Sequence, residues 1–251
     1  MYKYKNSKLQ KNNNKHFEDI INARLDSQQI DDKKKKELTF LKQFLSYSKK
    51  NIEDIIIDKE KPDFRVIMNS KKIGIEITEM INEELKKQEG YWENICQLLN
   101  EKIADDIDLK TSQISINIMP YKKYKIGNKE NVVNEIYQHI KNEIRKPNYI
   151  QKVDIIKLNK GICYINFGVY YINELDKKCL IKRIQEKDEK IKNYEKMDKQ
   201  WLLLVIGQAW QSSSDELNNK INYSEIEAVK NSPFDEIFIL EVFNQHVHKI
   251  K

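Results

Sequence analysis

The chain has 251 residues, 39% of them hydrophobic, enough to bury a full core. A formal charge of +6, from 45 basic and 39 acidic residues, permits nucleic acid as a partner. No apolar run is long enough to cross a membrane and no apolar signal segment opens the chain. Cys96, Cys163 and Cys179 are odd in number and not spaced as metal pairs. These features argue against a membrane protein and a disulfide scaffold, and point to the cytoplasm.

In chain order, residues 1–15, with Asn12, Asn13, Asn14 and many lysines, read as a flexible basic arm. With 6 glycines and 4 prolines no linker is visible, so residues 16–251 read as a single α/β domain. Asp32 to Ser48 is predicted helical, with Leu38, Leu41, Phe44 and Leu45 at helical spacing and Asp31 or Asp32 as cap. A hairpin follows: Phe64 to Met68, a polar turn over Asn69-Ser70-Lys71-Lys72, then Ile73 to Thr78. Asn82 to Asp106 gives one long helix and Gln113 to Met119 an alternating strand closed by Pro120. Asn131 to Arg145 is a further helix. Gly161 to Ile172 reads as a strand that could pair with Val153 to Leu158. Asp176 caps a helix running to about Met197, and Trp201 to Ile206 is a buried strand. Ile237 to Phe243 reads as the last strand. His246 and His248 would share a face on a strand, and their place near the C-terminal lysines reads as exposed rather than ligating. Strands separated by helices indicate a mixed central sheet flanked by helices.

The chemistry concentrates in the hairpin. Asp63 follows Pro62 at the start of its first strand, and Glu76 sits in mid-strand between isoleucines, sharing a face with Gly74 and Thr78. An acid so placed is poorly explained as a solvated charge. If Asp63 and Glu76 converge, they make a hard-oxygen site suited to Mg²⁺ or Mn²⁺, ions that activate water against phosphodiesters. If they face opposite sides of the sheet, or one is locked in an ion pair buried away from any cleft, that chemistry fails.

Pro62-Asp63, the hairpin and Glu76-Ile77-Thr78 resemble the PD-(D/E)XK nuclease superfamily, with its restriction-endonuclease-like core. The resemblance is specific over about Glu37 to Met80. It implies Asp63 and Glu76 as metal ligands, the backbone carbonyl of Ile77 as a further ligand, and Glu37 on the first helix as an auxiliary acid. The plain reading of Glu37 is that it favours the helix N-terminal dipole; Glu53 and Asp54 are the other acids near this corner. In the family a lysine follows the Glu by two residues, and here that position holds Thr78, which carries no positive charge and is no base at neutral pH. Either a lysine reaches in from elsewhere, the metal alone suffices, or the site no longer cuts. Lys187 and Lys190 are the first candidates, on a helix where Ile184 and Ile191 mark the buried side; Lys72 and Lys102 come second. The surface-helix reading, in which these lysines are merely solvated, stays open.

The resemblance implies a Mg²⁺-dependent endonuclease acting on DNA, with RNA a possible substrate, no membrane partner and a possible homodimer. Small lysine-rich chains of this kind resemble accessory proteins of mobile elements or defence islands. The alternative is a catalytically inactive nuclease-fold protein that binds nucleic acid or a protein partner. Basic clusters at Lys33 to Lys36, Lys71-Lys72, Tyr121 to Tyr124 and Lys177 to Lys199 suit phosphate contacts, or else are solvated faces. Gln208 and Trp210, after the buried strand, are candidate substrate contacts or core closure.

Overall fold

The computed structural model describes residues 19, 21–22, 30–50, 52–57, 62–119, 128–158, 161–167, 172–209 and 211–251. The basic arm at residues 1–15, the Tyr121 to Tyr124 cluster and Trp210 lie outside them. Where the sequence suggests a single domain, the chain forms two compact units: Met1–Ile81 with Asn173–Lys251, and Asn82–Ile172. Both are α/β, and among the described residues no helix is long and apolar enough to cross a membrane.

The first unit is built on a six-stranded mixed sheet. Its elements are α1 (Asp32–Tyr47), β1 (Asp54–Ile57), β2 (Phe64–Met68), β3 (Lys71–Glu79), α4 (Lys177–Ile191), β7 (Lys199–Ile206), α5 (Glu227–Asn231), β8 (Glu236–Glu241) and β9 (His246–Lys249). The strand order is β1-β2-β3-β7-β8-β9. The β3, β7 and β8 pairings are parallel, and the β1–β2, β2–β3 and β8–β9 pairings antiparallel. Asp31 caps α1 by accepting the Lys34 N–H at 2.7 Å. The helix lays Leu38, Leu41, Phe44 and Leu45 on one sheet face, against Ile75, Trp201, Leu203 and Phe238. Leu180 and Ile184 of α4 cover the other face, against Leu202, Leu204 and Ile206. With apolar neighbours on both sides, β7 is buried from Trp201 onward, which is why its sequence does not alternate.

The second unit carries α2 (Glu83–Asp105), β4 (Ser112–Ile118), α3 (Lys129–Ile140), β5 (Ile150–Lys157) and β6 (Ile162–Phe167). Its three strands run in the order β5-β4-β6. Ile114, Ile116 and Ile118 pack with Trp92, Ile95, Leu99 and Ile103 of α2 and with Val133, Ile136 and Ile140 of α3. Gln113, Ser115 and Asn117, on the other side of β4, are only half-buried, so this strand does alternate.

Several boundaries differ from the sequence expectation. The hairpin turn is two residues, Asn69 and Ser70, both left-handed (φ 50° and 59°), so Lys71 and Lys72 already belong to β3. β5 and β6 do not pair with each other; both pair with β4, between them. α3 stops at Ile140 because Asn142 turns left-handed (φ 61°), and the N–H groups of Asn142 and Glu143 return to the His139 and Gln138 carbonyls. α4 stops at Ile191, with the Asn193 and Tyr194 N–H groups folded back onto Lys190 and Ile191. β9 follows β8, so the strand beginning near Ile237 is not the last.

Candidate active site

The tight turn fixes the register of the β2–β3 ladder, in which Phe64 pairs with Ile75. One rung further along, Asp63 comes opposite Glu76. The Ile77 N–H donates to Asp63 Oδ2 at 2.8 Å and ties that carboxylate to β3. The two acids feel each other. Burial is the main force that raises the Glu76 pKa above its ordinary value, and the negative charge of Asp63 raises it further. They therefore share a site rather than facing opposite sides of the sheet.

Glu76 is nearly buried, and Lys187 Nζ lies 2.6 Å from its Oε1. Ile184 anchors α4 in the core, and Lys187, one turn on, runs its stem back to the sheet. The side chains of this pair are 6% and 15% exposed, so Lys187 is the lysine that the structure brings to the acids. It opposes the rise in the Glu76 pKa without overcoming it. Tyr194, also buried, lies beside the same carboxylate. Burial, then the charge of Glu76, push its phenol pKa up. That contact falls short of hydrogen-bond geometry: Glu76 Oε2 and Tyr194 Oη are both buried with no partner among the described residues that meets it.

Glu37 joins through a different lysine. Lys34 Nζ lies 2.8 Å from Glu37 Oε2 and 3.5 Å from Asp63 Oδ1, donates to the Asp63 carbonyl at 3.2 Å, and sits 4.7 Å from the centre of the Phe64 ring. Lys33 adds a contact to Glu37 Oε1 at 3.5 Å. Its pKa is raised chiefly by the Glu37 charge and in smaller part by Asp63. Lys34 is the residue that sequence reasoning missed as a bridge. The signal was its i, i+3 spacing to Glu37 within a run of four lysines, which gave no reason to single it out.

The remaining candidates fall elsewhere. Thr78 is half-buried two residues beyond Glu76 on its face, level with Leu204 of β7. Lys190 is exposed at the end of α4 and makes no ion pair with Asp63, Glu76 or Glu37. The Lys72 backbone N–H bonds to Asp198, and Lys102 bonds to Asn134 within the second unit. Among the described residues Glu53 receives the Ser70 N–H, at 3.3 Å, and none of the site's side chains. Gln208 is buried and donates to Glu79 Oε2 at 2.7 Å, an oxygen that Lys36 also holds at 2.6 Å. Gly74 is required by close packing: a Cβ there would stand 2.3 Å from Gln200 Oε1 and 2.8 Å from Pro62 Cγ.

Glu76 Oε2, Asp63 Oδ1 and the Ile77 carbonyl are hard oxygen donors, and a buried carboxylate oxygen that makes no hydrogen bond of good geometry suits a divalent cation. Glu37 is already held by two lysines, and among the described residues no three His, Cys, Asp or Glu side chains are clustered closely enough to hold a metal ion. The fit therefore rests on Asp63 and Glu76, not on a third acid. Set against protein-family models, curated proteins and solved structures, the chain matches none.

Proposed function

We propose that this chain is a metal-dependent nuclease that hydrolyses phosphodiester bonds of DNA, with a restriction-endonuclease-like core in its first unit. The observation that carries the reading is the 2.6 Å approach of Lys187 to Glu76, beside Asp63. It supplies, from α4, the positive charge that Thr78 cannot. Further support comes from the mixed sheet, with Glu76 in β3 and Asp63 immediately before the antiparallel β2, and from the Glu76 oxygen that makes no hydrogen bond of good geometry.

In this reading Asp63 and Glu76 would hold a Mg²⁺ or Mn²⁺ ion, with the Ile77 carbonyl. When bound, the ion polarises the scissile phosphate and acidifies its water. Asp63 is pre-oriented by the Ile77 N–H. The Lys187 ammonium offsets the charge of the acid pair and would orient the attacking water or hold a phosphate oxygen. Tyr194 Oη is a donor on the same side. Lys34 keeps Glu37 and Asp63 in register.

One observation favours a second reading. The Glu76–Lys187 pair is buried and ion-paired, which is also how a site that has ceased to cut would be sealed. That protein would bind nucleic acid or a partner protein without hydrolysis. Plasmid nicking with Mg²⁺ or Mn²⁺, and a labelled RNA alongside, separate the two. Metal-dependent cleavage that vanishes in Asp63→Ala and Glu76→Gln supports the nuclease. Binding without cleavage in either metal sinks it and leaves the silent protein.

A further inference from the structure

A second charged cluster stands apart from the acid pair, at the start of β7 and β8. Glu236 is the carboxylate at its centre, and both oxygens are engaged: Lys199 Nζ lies 3.1 Å from Oε1 and Lys249 Nζ 3.0 Å from Oε2. Burial works against the charged form of Glu236, yet these two lysines hold its pKa below the ordinary value. A third lysine joins without a carboxylate of its own. At the end of α1, Lys49 adopts a left-handed conformation (φ 52°) and the Lys50 N–H returns to the Leu45 carbonyl. That turn delivers the Lys50 ammonium over two aromatic faces, 4.7 Å from the centre of the Trp201 ring and 5.2 Å from that of Phe238. Burial lowers the Lys50 pKa, Glu236 opposes the fall, and Lys249 and Lys199 add to it.

Among the described residues, three ammonium groups share the Glu236 carboxylate, and the like-charge repulsion and desolvation of Lys50 work against that arrangement. An uncharged side chain would cover Trp201 and Phe238 at no cost in repulsion or desolvation. The indole N–H of Trp201, in the ring beneath Lys50, is buried and has no acceptor among the described residues. An anion relieves the excess charge. The cluster is also open, since the Lys199 and Lys249 side chains are 37% and 55% exposed. An open cationic surface suits a strand laid across it better than a small anion, which needs enclosure.

We propose that Lys50, Lys199 and Lys249 form a binding site for a backbone phosphate of a nucleic-acid strand, separate from the acid pair. The proposal rests on the reading of this chain as a protein that acts on nucleic acid. The test is the salt dependence of binding to a fluorescein-labelled DNA duplex, followed by anisotropy in EDTA so that nothing is cut. Lys199→Gln/Lys249→Gln is expected to lower the slope of log affinity against log salt by about two, and to weaken binding roughly ten-fold near ~0.1 M salt. Lys50→Met, which keeps the stem over the rings, lowers the slope by about one. The exposed pair Lys220→Gln/Lys230→Gln, outside the basic clusters, is the control for overall charge. Unchanged slopes, or an equal fall in the control, overturn the proposal, as does a wild-type protein that binds inorganic phosphate at these lysines but not the duplex. Cleavage lost in Asp63→Ala, with slopes indifferent to the lysines, removes the phosphate site and leaves the nuclease standing. Slopes that fall as expected in a protein that never cuts do the reverse.

Discussion

Glu76 in the first unit and Asp106 in the second each have a lysine and a tyrosine for neighbours. Asp106 follows the end of α2 and is satisfied on every side. Tyr137 and Lys141 bond to its Oδ2, and the N–H groups of Asp108 and Leu109 to its Oδ1. The Tyr137 hydroxyl is the main reason its pKa falls to about 2, and the backbone donors and Lys141 help against the opposing effect of burial. Glu76 has the same partners by type and the opposite outcome. One oxygen takes Lys187, the other has no hydrogen bond, a second carboxylate stands beside it, and its pKa is raised. A completed set of donors makes a structural corner. An incomplete set next to a like charge is kept at a cost in stability, and such a cost is expected where a ligand completes the set.

The largest effects that test this contrast are on cleavage. Asp63→Ala and Glu76→Gln should each reduce plasmid nicking by roughly 10³-fold, with the fold retained by circular dichroism, while Asp106→Asn leaves nicking within about two-fold. An Asp106 variant that hit cleavage as hard as a Glu76 variant would break the comparison. Next comes Lys187→Met, expected to cost about 10²-fold in rate, with Lys187→Arg recovering part of it because the charge is kept. If Lys187→Met cut normally, the lysine would be no more than a counter-ion. On stability the order reverses: Asp106→Ala should cost about 3 kcal/mol in urea unfolding, because Tyr137 and Lys141 lose a charged acceptor.

The smallest effect is in the pH dependence, where the two acids act with opposite sign. Asp106 has a depressed pKa, so its contribution is full above the unfolded value of ~3.9 and is lost as pH falls toward about 2. Asp106→Asn should flatten that acid limb. Glu76 has a raised pKa, so the folded state holds its proton more tightly, and stability declines as pH rises from ~4.3 through the folded pKa. Asp63→Asn removes the like charge and should shrink that decline. A decline that is the same in wild type and Asp63→Asn would mean that the two carboxylates do not interact.

Much of the first unit was legible in the sequence because its signals are local. The Leu38, Leu41, Phe44, Leu45 stripe and the Asp31 cap define α1, and alternation around Glu76 defines its face. Lys187 could be nominated because Ile184 and Ile191 mark which side of α4 faces the sheet. That it meets Glu76 was not readable, because nothing local in the chain tells α4 which strand it will cover. Partner choice was likewise hidden: β5 and β6 look like neighbours in sequence, yet both choose β4. β1 escaped notice because Asp54–Ile57 is four residues long and too short to show alternation. The end of α3 depends on the left-handed Asn142, where the charged residues beyond it still read as helical. Asp106 went unremarked because its side-chain donors, Tyr137 and Lys141, arrive from α3 and the residue after it, beyond the reach of any local motif.

Lys187 lies 111 positions after the carboxylate it meets, and the second unit, Asn82–Ile172, intervenes. Thermodynamically so long a detour is cheap, since each doubling of a closing loop adds only about 0.6 kcal/mol. In time it is not. During synthesis both acids emerge early, while the ammonium that offsets them waits until everything between has been translated. A ribosome-bound fragment that stops short of α4 therefore carries the acid pair without its cation, and the pair gains it only once the second unit has been translated.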